Sequence, residues 1–134
     1  MASYAFVCDV KAVVFLQSYG PCRHNVSHCK SFAVDAFVRT IRTLCESQGI
    51  DPSDLDWIVP HQANIRIIEA AAKRLGLPTE LFYTNMERYA NTSAASIPIA
   101  ISEMVERGLL KRGHRIVAAG FGAGLAYGGN LLQW

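Results

Sequence analysis

Between residues 55 and 78 the hydrophobic pattern of this chain changes from that of a buried strand to that of a helix. Leu55-Asp56-Trp57-Ile58-Val59-Pro60 reads as a short buried strand, ended at Pro60, which has no N–H for a sheet ladder. Within a few residues the spacing becomes helical. Ile65, Ile68, Ala72 and Leu75 share one face, and Gly76 with Pro78 ends the helix. Earlier in the chain, Ala33, Phe37, Ile41 and Leu44 mark another helix, from about Ser31 to Gly49, followed by a turn at "DPSD" (51–54). Later, "LFYTN" (81–85) predicts a second short strand. A third helix is expected over 92–108, kinked or delayed by Pro98. The closing segment "HRIVAAGFGAGLAYGGNLLQW" predicts two strands joined by a glycine-rich turn. Strand–helix alternation followed by a strand pair gives an α/β layered domain with a mixed sheet.

Residues 1–24 fit this order least well. They are rich in aromatic and β-branched residues, suit one or two strands, and are otherwise unassigned. The helix after Asn91 is unusual in another way. Ala94, Ala95, Ile97, Ile99, Ala100 and Ile101 surround most of its circumference, so it is expected to be covered on all sides. A chain of 134 residues is too short to supply that cover alone, and self-association of the isolated chain is the expected result.

Charge and composition exclude several classes. A net charge of +2 is too small for a general nucleic-acid binder. No apolar run reaches the length of a membrane span. Asp9 and Lys11 interrupt any secretory signal, so a cytoplasmic location is expected. The four cysteines, Cys8, Cys22, Cys29 and Cys45, are then expected as reduced thiols. Cys22, His24, His28 and Cys29 are metal-ligand types, but adjacent His28 and Cys29 can hardly both reach one tetrahedral zinc. That stretch is read as a polar loop, with no metal site.

In an α/β sheet the loops leaving strand ends gather along one edge. His61 follows the first internal strand, Asn91 precedes the apolar helix, and "GFGAG" (120–124) joins the last two strands. Taken singly, each has an ordinary structural role: a hydrogen-bonded histidine, a helix cap and a hairpin turn. Together, an imidazole N–H, a carboxamide N–H and a backbone N–H are three donors able to stabilise a developing oxyanion.

Three segments, "DWIVPHQANIRIIEAAAKRLGLP", "NMERYANTSAASIPIA" and "GFGAGLAYGGNLLQW", closely resemble the C-terminal half of the β-ketoacyl-acyl-carrier-protein synthase III family. The resemblance runs from about residue 31 to Trp134. It implies residues 25–134 as a condensing-enzyme C-terminal domain: half of the thiolase fold, whose two α/β halves stack as αβαβα layers, usually in a homodimer. It also implies an acyltransferase. A cysteine takes an acyl group from acyl-CoA; malonyl-acyl carrier protein then decarboxylates, and its carbanion attacks the acyl-enzyme to give a 3-oxoacyl product that starts fatty-acid synthesis. The substrates are thioesters, and no resident cofactor is implied. On this resemblance the catalytic residues are His61 and Asn91, Ala123 lends a backbone N–H to an oxyanion hole, and Asn64 contacts the pantetheine arm. Arg66, Lys73 and Arg74 form a basic face for the acidic carrier protein.

Two departures stand out. None of the four cysteines has the family's Ala-Cys-Ser-Gly-like setting, so the nucleophile is expected in a separate N-terminal half. Ala90 stands where the family usually has glycine, and is expected to shift the loop. Two other readings compete with a half-enzyme. One is a catalytically inactive remnant or partner subunit. The other is a Cys-His-Asn hydrolase, which needs a local cysteine with a lowered pKa beside His61.

Overall fold

Strand β3 (Arg115–Phe121) is the centre of the molecule, because its Ile116-Val117-Ala118-Ala119 run is buried on both faces. The computed structural model describes residues 9–17, 26–122 and 126–134. In it, β3 pairs in parallel with β2 (Trp57–Pro60) and antiparallel with β4 (Ala126–Gln133). β1 (Asp9–Gln17) adds to the far side of β4, also antiparallel, so the mixed sheet has the order β1-β4-β3-β2. The register of β1 slips between Val10 and Ala12, which makes Lys11 an irregularity in an edge strand. One strand therefore lies in the N-terminal segment left unassigned by the sequence.

Alternating side chains of β2 and β3 feed two cores. Ile58, Val117 and Ala119 join Phe37, Ile41, Leu44 and Ile68 on one face. Val59 and Ile116 join Tyr83, Ala100 and Met104 on the other. Ile41 and Leu44 are completely buried, and each such side chain contributes roughly 1.5–3 kcal/mol. They belong to α1 (Val26–Ser47), which lies on the first face beside α2 (Ile65–Leu75). α1 begins earlier than the Ser31 expected, so His28 and Cys29 are helical rather than part of a polar loop. Cys8, Cys22 and His24 lie outside the described residues.

α1 can lie close to the sheet because β4 has no side chain at Gly129. A Cβ there would stand 2.5 Å from the Ala118 carbonyl oxygen and 2.8 Å from Thr40 Cγ2. Only glycine fits beneath the helix at that point.

α2 starts at Asn64, whose side chain accepts the Arg66 N–H at 2.9 Å, and ends at Gly76 in the left-handed region (φ 71°). Ile68, Ala71 and Ala72 face the core, whereas Ile65, expected on that face, is 45% exposed. Residues 81–85 do not form the second strand that was expected. Phe82 makes one parallel bridge to Ile58, and the segment then turns into the single helical turn α3 (Met86–Tyr89). β2 ends at Pro60, and the Gln62 carboxamide replaces the missing strand partner. Gln62 Nε2 donates to the Tyr83 carbonyl at 3.1 Å, and its Oε1 accepts the Asn85 N–H at 3.1 Å.

The apolar helix α4 (Ser96–Glu106) is preceded by a 3-10 turn at Ser93–Ala95. Pro98 sits in its first turn, where a missing N–H breaks no helical hydrogen bond, so it delays the helix instead of kinking it. Ala100 and Met104 pack on the second core, while Ile97, Ile99, Ile101 and Val105 are only half-buried. Beside α4 no other described residue covers the sheet. Val13, Ile97, Ala118, Gly120, Gly128 and Asn130 contribute to an apolar cleft of about 380 Å³. No helix among the described residues is long and apolar enough to cross a membrane.

Candidate active site

His61 is the first residue beyond β2, and the sheet still holds its backbone, through its N–H to the Ala119 carbonyl at 2.8 Å. The Ala63 N–H closes a turn on the His61 carbonyl at 2.9 Å, and α2 begins two residues later, after its cap Asn64. The imidazole is half-buried, with its ring edge-to-face against Phe121 at 5.4 Å. Nδ1 lies 2.7 Å from Ser96 Oγ. Nε2 has no hydrogen-bond partner among the described residues. Burial holds the His61 pKa below its ordinary value of 6.5, because a buried imidazolium loses solvation. A neutral ring with one free nitrogen is suited to donate a hydrogen bond to an anion.

Asn91 lies on the loop between α3 and α4. Its Oδ1 accepts the Ser93 N–H at 3.0 Å, leaving the amide Nδ2 as the group able to donate outward. The side chain is exposed. The backbone on both sides of it is constrained. Ala90 has φ 53° with ψ −156°, a region essentially reserved for glycine, and Ser93 also has φ 53°. The alanine was expected to displace the loop. Instead Ala90 adopts the positive φ itself, because the segments before and after it are pinned.

The pin is Glu103 of α4, buried although acidic. Asn85 Nδ2 donates to its Oε2 at 2.8 Å, Arg88 pairs with Oε1, and Arg107 stands 3.9 Å away. Asn85 and Arg88 precede the loop, and Glu103 follows it, so the network closes across Asn91. The Asn85 hydrogen bond, then the positive charges of Arg88 and Arg107, hold the Glu103 carboxyl below its ordinary pKa, against the opposing effect of burial.

Ser96, Gln62, Asn85 and Glu103 were not anticipated as parts of this arrangement. The available signal was Glu103 between Ile99, Ala100 and Met104 in a largely apolar stretch of α4. Asn64 is the cap of α2. Of the expected basic face, Arg66 and Lys73 are exposed and have no ion pair among the described residues, whereas Arg74 pairs with Asp35 of α1. Ala123 lies outside the described residues. Cys45 is completely buried in the first core, and desolvation pushes its thiol up to about 11, so it is no nucleophile for His61.

The family model for the 3-oxoacyl-[acyl-carrier-protein (ACP)] synthase III C terminal matches residues 45–134. The chain is 53% identical over 103 residues to the beta-ketoacyl-[acyl-carrier-protein] synthase III of Clostridium acetobutylicum, covering 77% of this chain and 32% of that protein. Its fold is similar to the crystal structure of 3-oxoacyl-[acyl-carrier-protein] synthase III from Aquifex aeolicus, with TM-score 0.88 and 34% identity over 95% of this chain and 45% of that one. The Pseudomonas aeruginosa structure of the same description gives TM-score 0.85 and 33% identity, over 93% and 44% of the two chains. The fold is thiolase-like. The chain spans about a third of the length of the curated relatives it matches.

Proposed function

The chain belongs to the 3-oxoacyl-[acyl-carrier-protein] synthase III family, and from that premise we propose that it supplies the histidine–asparagine half of a decarboxylative condensing site. The observation that carries the reading is the neutral His61 ring, anchored at Nδ1 and open at Nε2.

In this reading a cysteine thiolate of an N-terminal half attacks acyl-CoA and releases CoA thiolate, which takes up a proton. Malonyl-acyl carrier protein then loses CO2. The electron pair of the broken C–C bond moves onto the thioester as an enolate, and Nε2–H of His61 and Nδ2–H of Asn91 both donate to its oxygen. The enolate carbon attacks the acyl-cysteine, the new C–C bond forms, and the cysteine thiolate leaves. Prearranged donors of this kind are worth a few kcal/mol each in a dry site. The uncovered cleft beside α4 supports a requirement for the N-terminal half, and the family premise supports a homodimer. Asn64 is assigned to the pantetheine arm. Arg66 and Lys73, unpaired among the described residues, offer cations for an acidic carrier; Arg74, already paired with Asp35, contributes less.

The test pairs this chain with the N-terminal half of a relative. His61→Ala and Asn91→Ala should each slow malonyl decarboxylation by about a hundredfold or more while acyl transfer to the cysteine survives. Loss of acyl transfer with decarboxylation intact would make His61 a general base and overturn the assignment. A folded pair with no activity would favour the inactive-remnant reading. Arg66→Glu should raise KM for the malonyl carrier, in a salt-dependent way, more than Arg74→Glu does.

A further inference from the structure

We infer that Ser96 is a positioning residue: its hydroxyl donates to His61 Nδ1 and thereby keeps the ring proton on Nε2, facing the substrate. The inference rests on the reading of His61 as an oxyanion donor and extends it to the group that orients the donor.

A hydroxyl carries one proton and two lone pairs. The backbone N–H of Gln62 donates to Ser96 Oγ at 3.3 Å, which occupies one lone pair. The Ser96 proton then needs an acceptor, because the residue is 2% exposed and an unpaired buried hydroxyl is unfavourable. His61 Nδ1, at 2.7 Å, is the one hydrogen-bond partner of Oγ among the described residues that can accept it. Reversing the bond would put the ring proton on Nδ1, leave the Ser96 proton with no acceptor, and present a bare lone pair at Nε2. That lone pair would repel the enolate oxygen it is meant to stabilise. The hydrogen-bond balance therefore selects the Nε2–H tautomer.

The placement of Ser96 follows from the fold. It is the first residue of α4, directly after the 3-10 turn that follows Asn91, and 35 positions from His61. Fixing α4 against the loop at Gln62 thus orients both donors together. The Phe121 edge contact at 5.4 Å leaves the ring little freedom to turn and exchange its nitrogens.

The experiment is nitrogen-15 NMR of the full chain labelled at histidine, with long-range proton–nitrogen correlations to assign each ring nitrogen. In the wild-type chain His61 should show an unprotonated Nδ1 and a protonated Nε2. Ser96→Thr, which keeps a hydroxyl, should preserve that pattern. Ser96→Ala should shift the averaged Nδ1 resonance towards the protonated position while the other histidines stay unchanged. A protonated Nδ1 in the wild-type chain would overturn the inference, and that reading needs no variant to fold. So would an unchanged His61 pattern in a folded Ser96→Ala chain. Should the tautomer behave as stated while His61→Ala leaves decarboxylation intact, the role of Ser96 stands and the catalytic reading of His61 fails.

Discussion

Asn85 donates a 2.8 Å hydrogen bond to Glu103, and both residues are buried, one before the Asn91 loop and one after it. This bond and the Arg88 and Arg107 charges favour the ionised Glu103 carboxylate. The native state therefore binds this proton less readily than the unfolded chain, whose carboxyl titrates near its ordinary 4.5. The stability it contributes is complete above pH 4.5 and is lost as pH falls through the lower native pKa. Melting temperatures from pH 7 to pH 3 should fall more steeply for the wild-type chain than for Glu103→Gln. Parallel profiles would mean that the network is not what holds the loop.

Ala90 stores strain at φ 53° that glycine would not feel. Ala90→Gly should stabilise the chain by about 1 kcal/mol after allowing for the greater freedom of glycine in the unfolded chain. That corresponds to a rise in melting temperature of about 4 °C. An unchanged or lower melting temperature would show that the loop tolerates alanine without strain.

Gly129→Ala should destabilise by roughly 1–3 kcal/mol through overpacking beneath α1. Thr40→Ser removes the methyl group on one side of the clash but leaves the Ala118 carbonyl at 2.5 Å. The double variant should regain only a minor part of the loss, as denaturant titration would measure. Full recovery would locate the clash in the side chain alone.

Cys45 should be unreactive in the folded chain. Its thiol titrates at about 11 and is completely buried, so neither a disulfide reagent nor acetyl-CoA should modify it at pH 7.5. Intact mass should show modification at Cys45 only as denaturant unfolds the chain. A thioester formed on native Cys45 would revive the hydrolase reading.

The elements legible in the sequence were those whose signals are local. Gly49 and Gly76 end helices in the left-handed conformation, and the Ala33–Leu44 spacing lies on the buried face of α1. What escaped depends on side chains meeting across long separations. Residues 81–85 carry strand-like residues, yet a glutamine 21 positions before Tyr83 takes the place of a strand partner. Ile65 satisfies the helical period but stands at the helix start, where the core has already turned away. The conformation of Ala90 follows from the contacts of Asn85 and Arg88, not from its own preferences. His61 and Asn91 could be singled out from their motifs, but Ser96, which touches His61, lies within the helix expected over 92–108 and carries no local sign of that contact.

The register slip at Lys11 bears on how this chain behaves at high concentration. Among the described residues β1 is the outermost strand, so one row of its backbone amides and carbonyls faces away from the sheet, and Val10 and Val13 are exposed beside it. A straight strand of that composition would template the stacking of further chains into cross-β fibrils. The irregularity between Val10 and Ala12 breaks the flat repeat such stacking needs, and the exposed Asp9–Lys11 ion pair sets charge along the same rim. Fibril growth from the native state is therefore opposed along the β1 edge of the described sheet.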